Sequence, residues 1–209
     1  SVMQAQEGGY ETRTVFYEDD YAMSAASAGG TLYAVRESGL YALSVDGSEE
    51  KIAPAEDFMG KIWGLLSDGQ ALYGRGSSSL SLLVDETGQY VNQILLTLEE
   101  DDARLTGEVV IEAGTVYTLS PSGSDAVINS YNPHNREWTS ISLPGLTHLD
   151  LMGDGQLIGL KQEIRWPDVN VALVSIDPQT GKSQPWAEVD SSRRYDHLFF
   201  RRGTDTALL

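Results

Sequence analysis

Short runs of β-branched and aromatic residues, separated by Gly, Pro, Asp and Ser, recur from one end of the chain to the other. Runs of this length and composition are typical of β-strands. No window shows sustained helical periodicity. The pattern therefore predicts an all-β protein, whose middle part alone contains predicted strands at 61–66, 71–73, 80–84, 90–96, 108–111, 115–119, 126–128 and 138–143.

One of these strands is introduced by a glycine in every repeat. The glycines of four copies, Gly30, Gly69, Gly114 and Gly155, are 39, 45 and 41 residues apart, and a degraded fifth copy begins at Gly203. Surface loops tolerate changes of length at little cost, so uneven spacing is compatible with a stacked array. The spacing indicates an internal repeat.

A second marker keeps the same phase. Each glycine-led strand is followed by another strand that ends in an Asp or Asn turn, at 45–47, 84–88, 131–135 and 176–181. Side chains of Asp and Asn cap such turns, and the closing Gly or Asn accepts a positive φ. A repeat of about 40–45 residues that contains four strands is typical of a β-propeller blade. A β-sandwich also has many short strands, but it has no reason to repeat two turn types in phase.

The fold class predicted is therefore an all-β β-propeller of four-stranded antiparallel blades, with four full blades plus a partial fifth. The expected blades are 21–57, 58–101, 102–145, 146–190 and a partial blade at 191–209, preceded by an N-terminal segment 1–20 with one extra strand at 10–17. Because the fifth repeat is incomplete, we expect either an imperfectly closed ring or a chain that belongs to a longer polypeptide.

Two segments resemble known propeller families. The run from Tyr131 to Trp138, Tyr-Asn-Pro-His-Asn-Arg-Glu-Trp, is similar to the Kelch pattern, and Asp-Pro-Gln-Thr-Gly at 177–181 with Trp186 is similar to repeats of pyrroloquinoline-quinone-type propellers. Each resemblance covers one blade and implies the fold, not a quinone cofactor. The chain as a whole resembles propeller regions of bacterial surface lipoproteins of the solute-binding type, which implies further domains in the same polypeptide.

Composition excludes several classes of function. The net charge of −17, from 14 basic and 31 acidic residues, argues against a nucleic-acid partner, since phosphate binding needs clustered Lys and Arg. The absence of cysteine excludes disulfides, a thiolate nucleophile and Cys-based zinc sites. The longest apolar runs are far too short to cross a bilayer, and no export signal opens the sequence, so any signal was removed or never existed.

Catalytic chemistry has little support in the sequence. His148 and His197 are predicted at the beginnings of inner strands, where Asp150 and Asp196 could join them in an axial metal site, but we expect ordinary channel-lining residues. His134 is predicted in a solvent-exposed turn. Runs of acidic residues such as 49–50 fall between predicted strands, and we expect them to form solvated faces. We therefore predict no catalytic residues, no metal site and no cofactor.

The predicted ligand site lies in the loop 162–168, which brings Ile164, Arg165 and Trp166 together where a turn requires none of them. Trp and Arg are enriched at binding hot spots. The alternative is that Trp166 packs onto the neighbouring blade. Three other sets of aromatics are expected to be structural: Trp63 between blades, Trp138 and Trp186 on outer strands, and the recurring Tyr33, Tyr73 and Tyr117.

These observations favour a non-enzymatic binding or scaffolding propeller of an exported or cell-surface bacterial protein, with a protein or carbohydrate ligand on a loop face and no membrane insertion. The low lysine count, the acidity and the Ser, Thr and Gly content suit that compartment, and a cytoplasmic location is also compatible. Two alternatives stay open: a propeller hydrolase or lyase with an axial site, similar to lactonases or glycosidases, and a structural spacer within a longer chain.

Overall fold

The computed structural model describes most of the chain, namely residues 2–6, 9–13, 22–44, 46–54, 62–86, 89–99, 103–105, 107–122, 125–153, 155–165, 168–190, 194–195, 198–201 and 206–209. The chain divides into two compact units, residues 1–98 and 99–209. In the described part, a 3₁₀ turn at Ala103–Leu105 is the only helical element, and no helix there is long and apolar enough to span a bilayer.

The first unit contains a hairpin and two four-stranded antiparallel sheets. The hairpin pairs β1 (Val2–Gln6) with β2 (Gly9–Arg13), so the N-terminal segment has two short strands where the sequence predicted one. Blade A consists of β3 (Ala22–Ala28), β4 (Thr31–Arg36), β5 (Gly39–Leu43) and β6 (Glu49–Pro54). Blade B consists of β7 (Gly64–Ser67), β8 (Leu72–Arg75), β9 (Ser79–Glu86) and β10 (Gln89–Thr97).

The second unit repeats this arrangement. Blade C consists of β11 (Glu108–Glu112), β12 (Thr115–Ser122), β13 (Asp125–Asn132) and β14 (Glu137–Pro144). Blade D consists of β15 (Leu146–Gly153), β16 (Gln156–Arg165), β17 (Asp168–Ile176) and β18 (Ser183–Ala187). A two-stranded sheet of β19 (Phe199–Arg201) and β20 (Thr206–Leu208) follows.

In every blade the strands pair in chain order, each antiparallel to the next. Four consecutive strands joined by hairpins are the repeating unit of a β-propeller. The predicted all-β propeller fold, with four full blades and a two-stranded remnant of a fifth repeat, is confirmed.

The turn chemistry explains both sequence markers. All four marker glycines, Gly30, Gly69, Gly114 and Gly155, have φ between +79° and +93°, a region that side chains with a Cβ rarely adopt. The Asx marker acts through its carboxylate: Asp177 Oδ1 accepts hydrogen bonds from the backbone N–H groups of Gln179 (2.9 Å) and Thr180 (3.3 Å). Because each turn is encoded locally, the repeat is legible in the sequence.

The blades of each unit are joined by apolar cores. Between blades A and B the buried residues include Val35, Leu40, Ile62, Leu72 and Leu83. Between blades C and D they include Leu119, Ile128, Leu149, Leu157 and Ile176. The opposite face of blade D is covered by Leu198 and Tyr195 from the fifth repeat, which pack on Ile158, Leu160 and Leu173. The period-two alternation therefore continues through each sheet, with both faces of blade D buried.

Candidate functional site

The predicted ligand loop is not a loop. Residues 162–165 belong to β16, and Arg165 and Ile164 pair with Asp168 and Val169 of β17. Only 166–167 connect the two strands, so the expectation of a long loop at 162–168 was wrong. The two strands extend further than expected and form a long hairpin. Trp166 lies outside the described residues, as do the side chains of Ile164 and Arg165, so their role in binding stays a prediction.

Trp63 is the aromatic residue whose environment differs most from the expectation. We expected it in the core between blades, but 46% of its surface is exposed. The buried position before β7 is taken by Ile62, whose side chain fills the space that a side chain on Gly74 would need. Trp63 lies at a bend directly before β7 and is exposed.

The Trp63 ring is held in place by Arg75. The Arg75 guanidinium carbon lies 4.5 Å from the ring centroid, within the range of a cation–π interaction. The backbone N–H of Trp63 donates to the carbonyl of Arg75 at 2.9 Å, which fixes the two residues side by side. Burial lowers the pKa of Arg75 from its ordinary value, although the guanidinium stays charged at neutral pH. The result is a rigid, exposed aromatic surface with a cation beneath it.

Met23 is a second exposed apolar residue of the first unit. It is 38% exposed and lies at the start of β3. The next residue, Ser24, accepts a hydrogen bond on its Oγ from the backbone N–H of Leu65, at 2.9 Å. This bond aligns the starts of β3 and β7, the first strands of blades A and B, so that Met23 and Trp63 lie at the same end of the two sheets. We refer to Met23, Trp63 and Arg75 as the Trp63 surface.

His148 has a partner that the sequence analysis missed. Its Nδ1 lies 2.6 Å from Glu108 Oε1, and the other carboxylate oxygen, Oε2, accepts a hydrogen bond of 2.5 Å from the backbone N–H of Leu149. One carboxylate thus joins the first strands of blades C and D. Glu108 and His148 are 40 residues apart in the sequence. A signal that could have paired them was available, because each lies near the start of the first strand of its blade and the two blades are consecutive.

The axial metal hypothesis gains no support from the described residues. Asp150 Oδ1 accepts a hydrogen bond from the backbone N–H of Leu151 at 2.8 Å. Asp196 and His197 lie outside the described residues. Within the described ranges, no three His, Asp or Glu side chains come together in a way that could hold a metal ion.

Other predicted residues take structural roles. His134 is exposed in the β13–β14 turn, as expected. Trp138 stacks on Tyr131 at a centroid distance of 4.9 Å, and Arg104 lies 4.1 Å from its ring centroid. Glu49, expected on a solvated face, forms an ion pair with Arg36, whose side chain is only 2% exposed. The acidic pair at 49–50 is therefore partly structural.

The four blades and their connectivity define a β-propeller protein. No family model matches the chain, and no curated protein does either. Among solved structures, the extracellular domain of BT4673 from B. thetaiotaomicron is similar, with a TM-score of 0.48 and 16% identity over 86% of this chain and 23% of that chain.

Two further solved structures are similar to a comparable degree. PorZ, a surface component of the type-IX secretion system of Porphyromonas gingivalis, gives a TM-score of 0.47 and 14% identity over 86% of this chain and 29% of its own. U3-55K gives a TM-score of 0.47 and 11% identity over 82% and 53%, respectively. The chain thus spans between about a quarter and about half of each similar structure.

Proposed function

We propose that this protein is a non-enzymatic binding module and that the Trp63 surface contacts a protein partner. The observation that carries the proposal is the exposure of 46% of Trp63 in a ring held rigid by Arg75. Leaving a large apolar ring in water forgoes the free energy of burial, about 25 cal/mol per Å² of apolar surface. Exposed aromatic residues with an ordered cation are the composition of interface hot spots.

The charge of the protein points to the kind of partner. The net charge of −17 gives a field that attracts a basic protein surface and repels an acidic one. A partner with a basic rim around an apolar centre would match both the net negative charge of the protein and the Trp63 ring. We further propose that the protein is exported or exposed at the cell surface, which its composition supports.

The partner can be found by replacing Trp63 with a photo-crosslinking phenylalanine analogue in the producing cells and identifying the crosslinked protein. The matched control carries the same analogue in place of Ile94, because Ile94 is 68% exposed in the same unit but lies on the outer strand of blade B. A protein crosslinked at 63 and not at 94 is expected.

Binding of the purified partner should then weaken at least about 30-fold in Trp63→Ala, as for a hot-spot residue, and be unchanged in Ile94→Ala. Equal affinity of Trp63→Ala and the unmodified protein would contradict the proposal. Protease treatment of intact cells tests the compartment: cleavage of the protein without lysis is expected for a surface location.

A further inference from the structure

An open cleft of about 490 Å³ lies in the second unit, between the outer strands of blade C and the β17–β18 turn of blade D. Its polar lining comprises the amides of Asn132, Asn135 and Gln179, the carboxylate of Glu137, and hydroxyls that include those of Tyr117 and Thr139. The remaining lining residues are Ser and Thr, with Ile141 and Pro178 as apolar contacts.

The first unit is arranged differently at the equivalent position. There Tyr33, at the position that Tyr117 occupies in blade C, places its hydroxyl 3.2 Å from the hydroxyl of Tyr90 in blade B. In the second unit the lining residues from the β17–β18 turn of blade D are Pro178 and Gln179, so Tyr117 borders the cleft instead of pairing with a second tyrosine.

The polar groups of the cleft are held in position before any ligand arrives. Asn132 Oδ1 accepts a hydrogen bond from the backbone N–H of His134 at 2.9 Å, which leaves its Nδ2 group as the end available to a ligand. Asn135 donates from Nδ2 to Glu137 Oε2 at 2.7 Å and accepts on Oδ1 from the Glu137 backbone N–H at 3.2 Å. Pre-organisation of this kind reduces the entropy lost on binding.

The lining chemistry selects a class of ligand. Amide and hydroxyl groups both donate and accept, so they suit a ligand that presents many hydroxyls. None of the lining residues is Lys or Arg, and Glu137 would repel an anion, which disfavours phosphates and acidic sugars. A single carboxylate is too few for a metal ion. Tyr117 is only 9% exposed and forms a small part of the cleft wall. Burial, followed by the nearby Glu112, raises its pKa, so that its hydroxyl remains a donor.

We propose that this cleft between blades C and D binds a short neutral saccharide, with Glu137 and Asn132 bonded to its hydroxyls. The volume lies within the range of small-molecule sites, roughly 300–1,000 Å³. The site is independent of the Trp63 surface, which belongs to the other unit. A variant at Trp63 is therefore expected to keep saccharide binding, so the two proposals can fail separately.

Saturation-transfer NMR on the full chain tests the ligand class with a defined set of probes. The neutral probes are maltose, cellobiose, lactose and N,N′-diacetylchitobiose, and the charged probes are sialyllactose and glucosamine. We expect transfer to at least one neutral disaccharide and shifts of the Asn132, Asn135 and Gln179 side-chain amide signals. Binding of none of the neutral probes, or of charged probes alone, would overturn the proposal.

Matched variants then locate the site. Glu137→Gln should weaken binding about tenfold, as for loss of one charge-assisted hydrogen bond, whereas Glu50→Gln, at an exposed carboxylate on the outer strand of blade A, should change nothing. Thr139→Phe, which fills the cleft, should abolish binding, while Ser142→Phe, which points to the opposite face of the same strand, should not. Circular dichroism confirms that each variant is folded, and equal affinity across folded variants would refute the location.

Discussion

Gln162 fastens the start of the fifth repeat to blade D, and removal of its side chain should loosen that repeat selectively. Its Nε2 donates to the Tyr195 carbonyl (2.7 Å) and to Thr147 Oγ1 (3.0 Å), and its Oε1 accepts from the Tyr195 backbone N–H (2.9 Å). The Gln162 side-chain amide therefore bonds both the N–H and the carbonyl of Tyr195, as a paired strand would, although Tyr195 belongs to no strand of blade D. The perturbation is Gln162→Ala.

The magnitude follows from the bonds that are lost. Two hydrogen bonds hold Tyr195, each worth about 1 kcal/mol, and the half-buried backbone groups left behind rehydrate incompletely, which adds up to about 1 kcal/mol. The segment should thus lose about 2–3 kcal/mol of local stability. Leu198 remains packed on blade D, where full burial of a leucine is worth about 2 kcal/mol, so the repeat should open more often without being released altogether.

Hydrogen exchange measures this opening. A loss of 2–3 kcal/mol corresponds to about a 30- to 150-fold faster exchange of the β19–β20 amides, if they open together with Tyr195. The amides of β16 and β17 should be unaffected. Gln184→Ala is the control, because Gln184 is an exposed glutamine on β18 of the same blade. Unchanged exchange in β19–β20, or an equal loss of protection throughout blade D, would refute the reasoning.

Three further predictions concern stability. Asn129→Ala should cost about 2–3 kcal/mol in urea unfolding, because Asn129 makes three side-chain hydrogen bonds inside blade C; a loss below about 0.5 kcal/mol would contradict this. Gly39→Ala should lower the free energy of unfolding by about 3–5 kcal/mol, since the new Cβ would meet the Ala53 carbonyl oxygen and the φ of Gly39 is +147°. Gly47→Ala is the control: its φ is +88° but the space around it is open, so it should cost about 1–2 kcal/mol. Equal losses in the two variants would exclude the steric cause. The hydrogen bond from Thr180 and those from the turn backbone lower the pKa of Asp177. The ionised carboxylate therefore stabilises the turn fully above the ordinary carboxyl pKa, and this stability is lost as the pH falls through the lowered pKa. An NMR titration giving a raised pKa for Asp177 would reverse this sign.

Sequence patterns located the strands because the signals for strands and turns are local. Gly114 needs no neighbour outside its own hairpin to require a positive φ, and Asp177 caps its turn with its own side chain. Predicted strands at 108–111 and 138–143 lie within the observed Glu108–Glu112 and Glu137–Pro144. The number of blades and their antiparallel order therefore followed from residues close together in the chain.

The tertiary structure decided which side chains meet across blades and which reach solvent. Tyr33, Tyr73 and Tyr117 hold one position in the repeat, yet their partners differ: Tyr33 pairs with Tyr90 of the neighbouring blade, Tyr73 donates to Asp68 of its own hairpin, and Tyr117 borders a cleft. Glu108 meets His148 only once two sheets are packed together, and it is Ile62, not Trp63, that takes the buried position beside Gly74. Contacts of this kind depend on distances through space, which a repeat pattern along the chain does not encode.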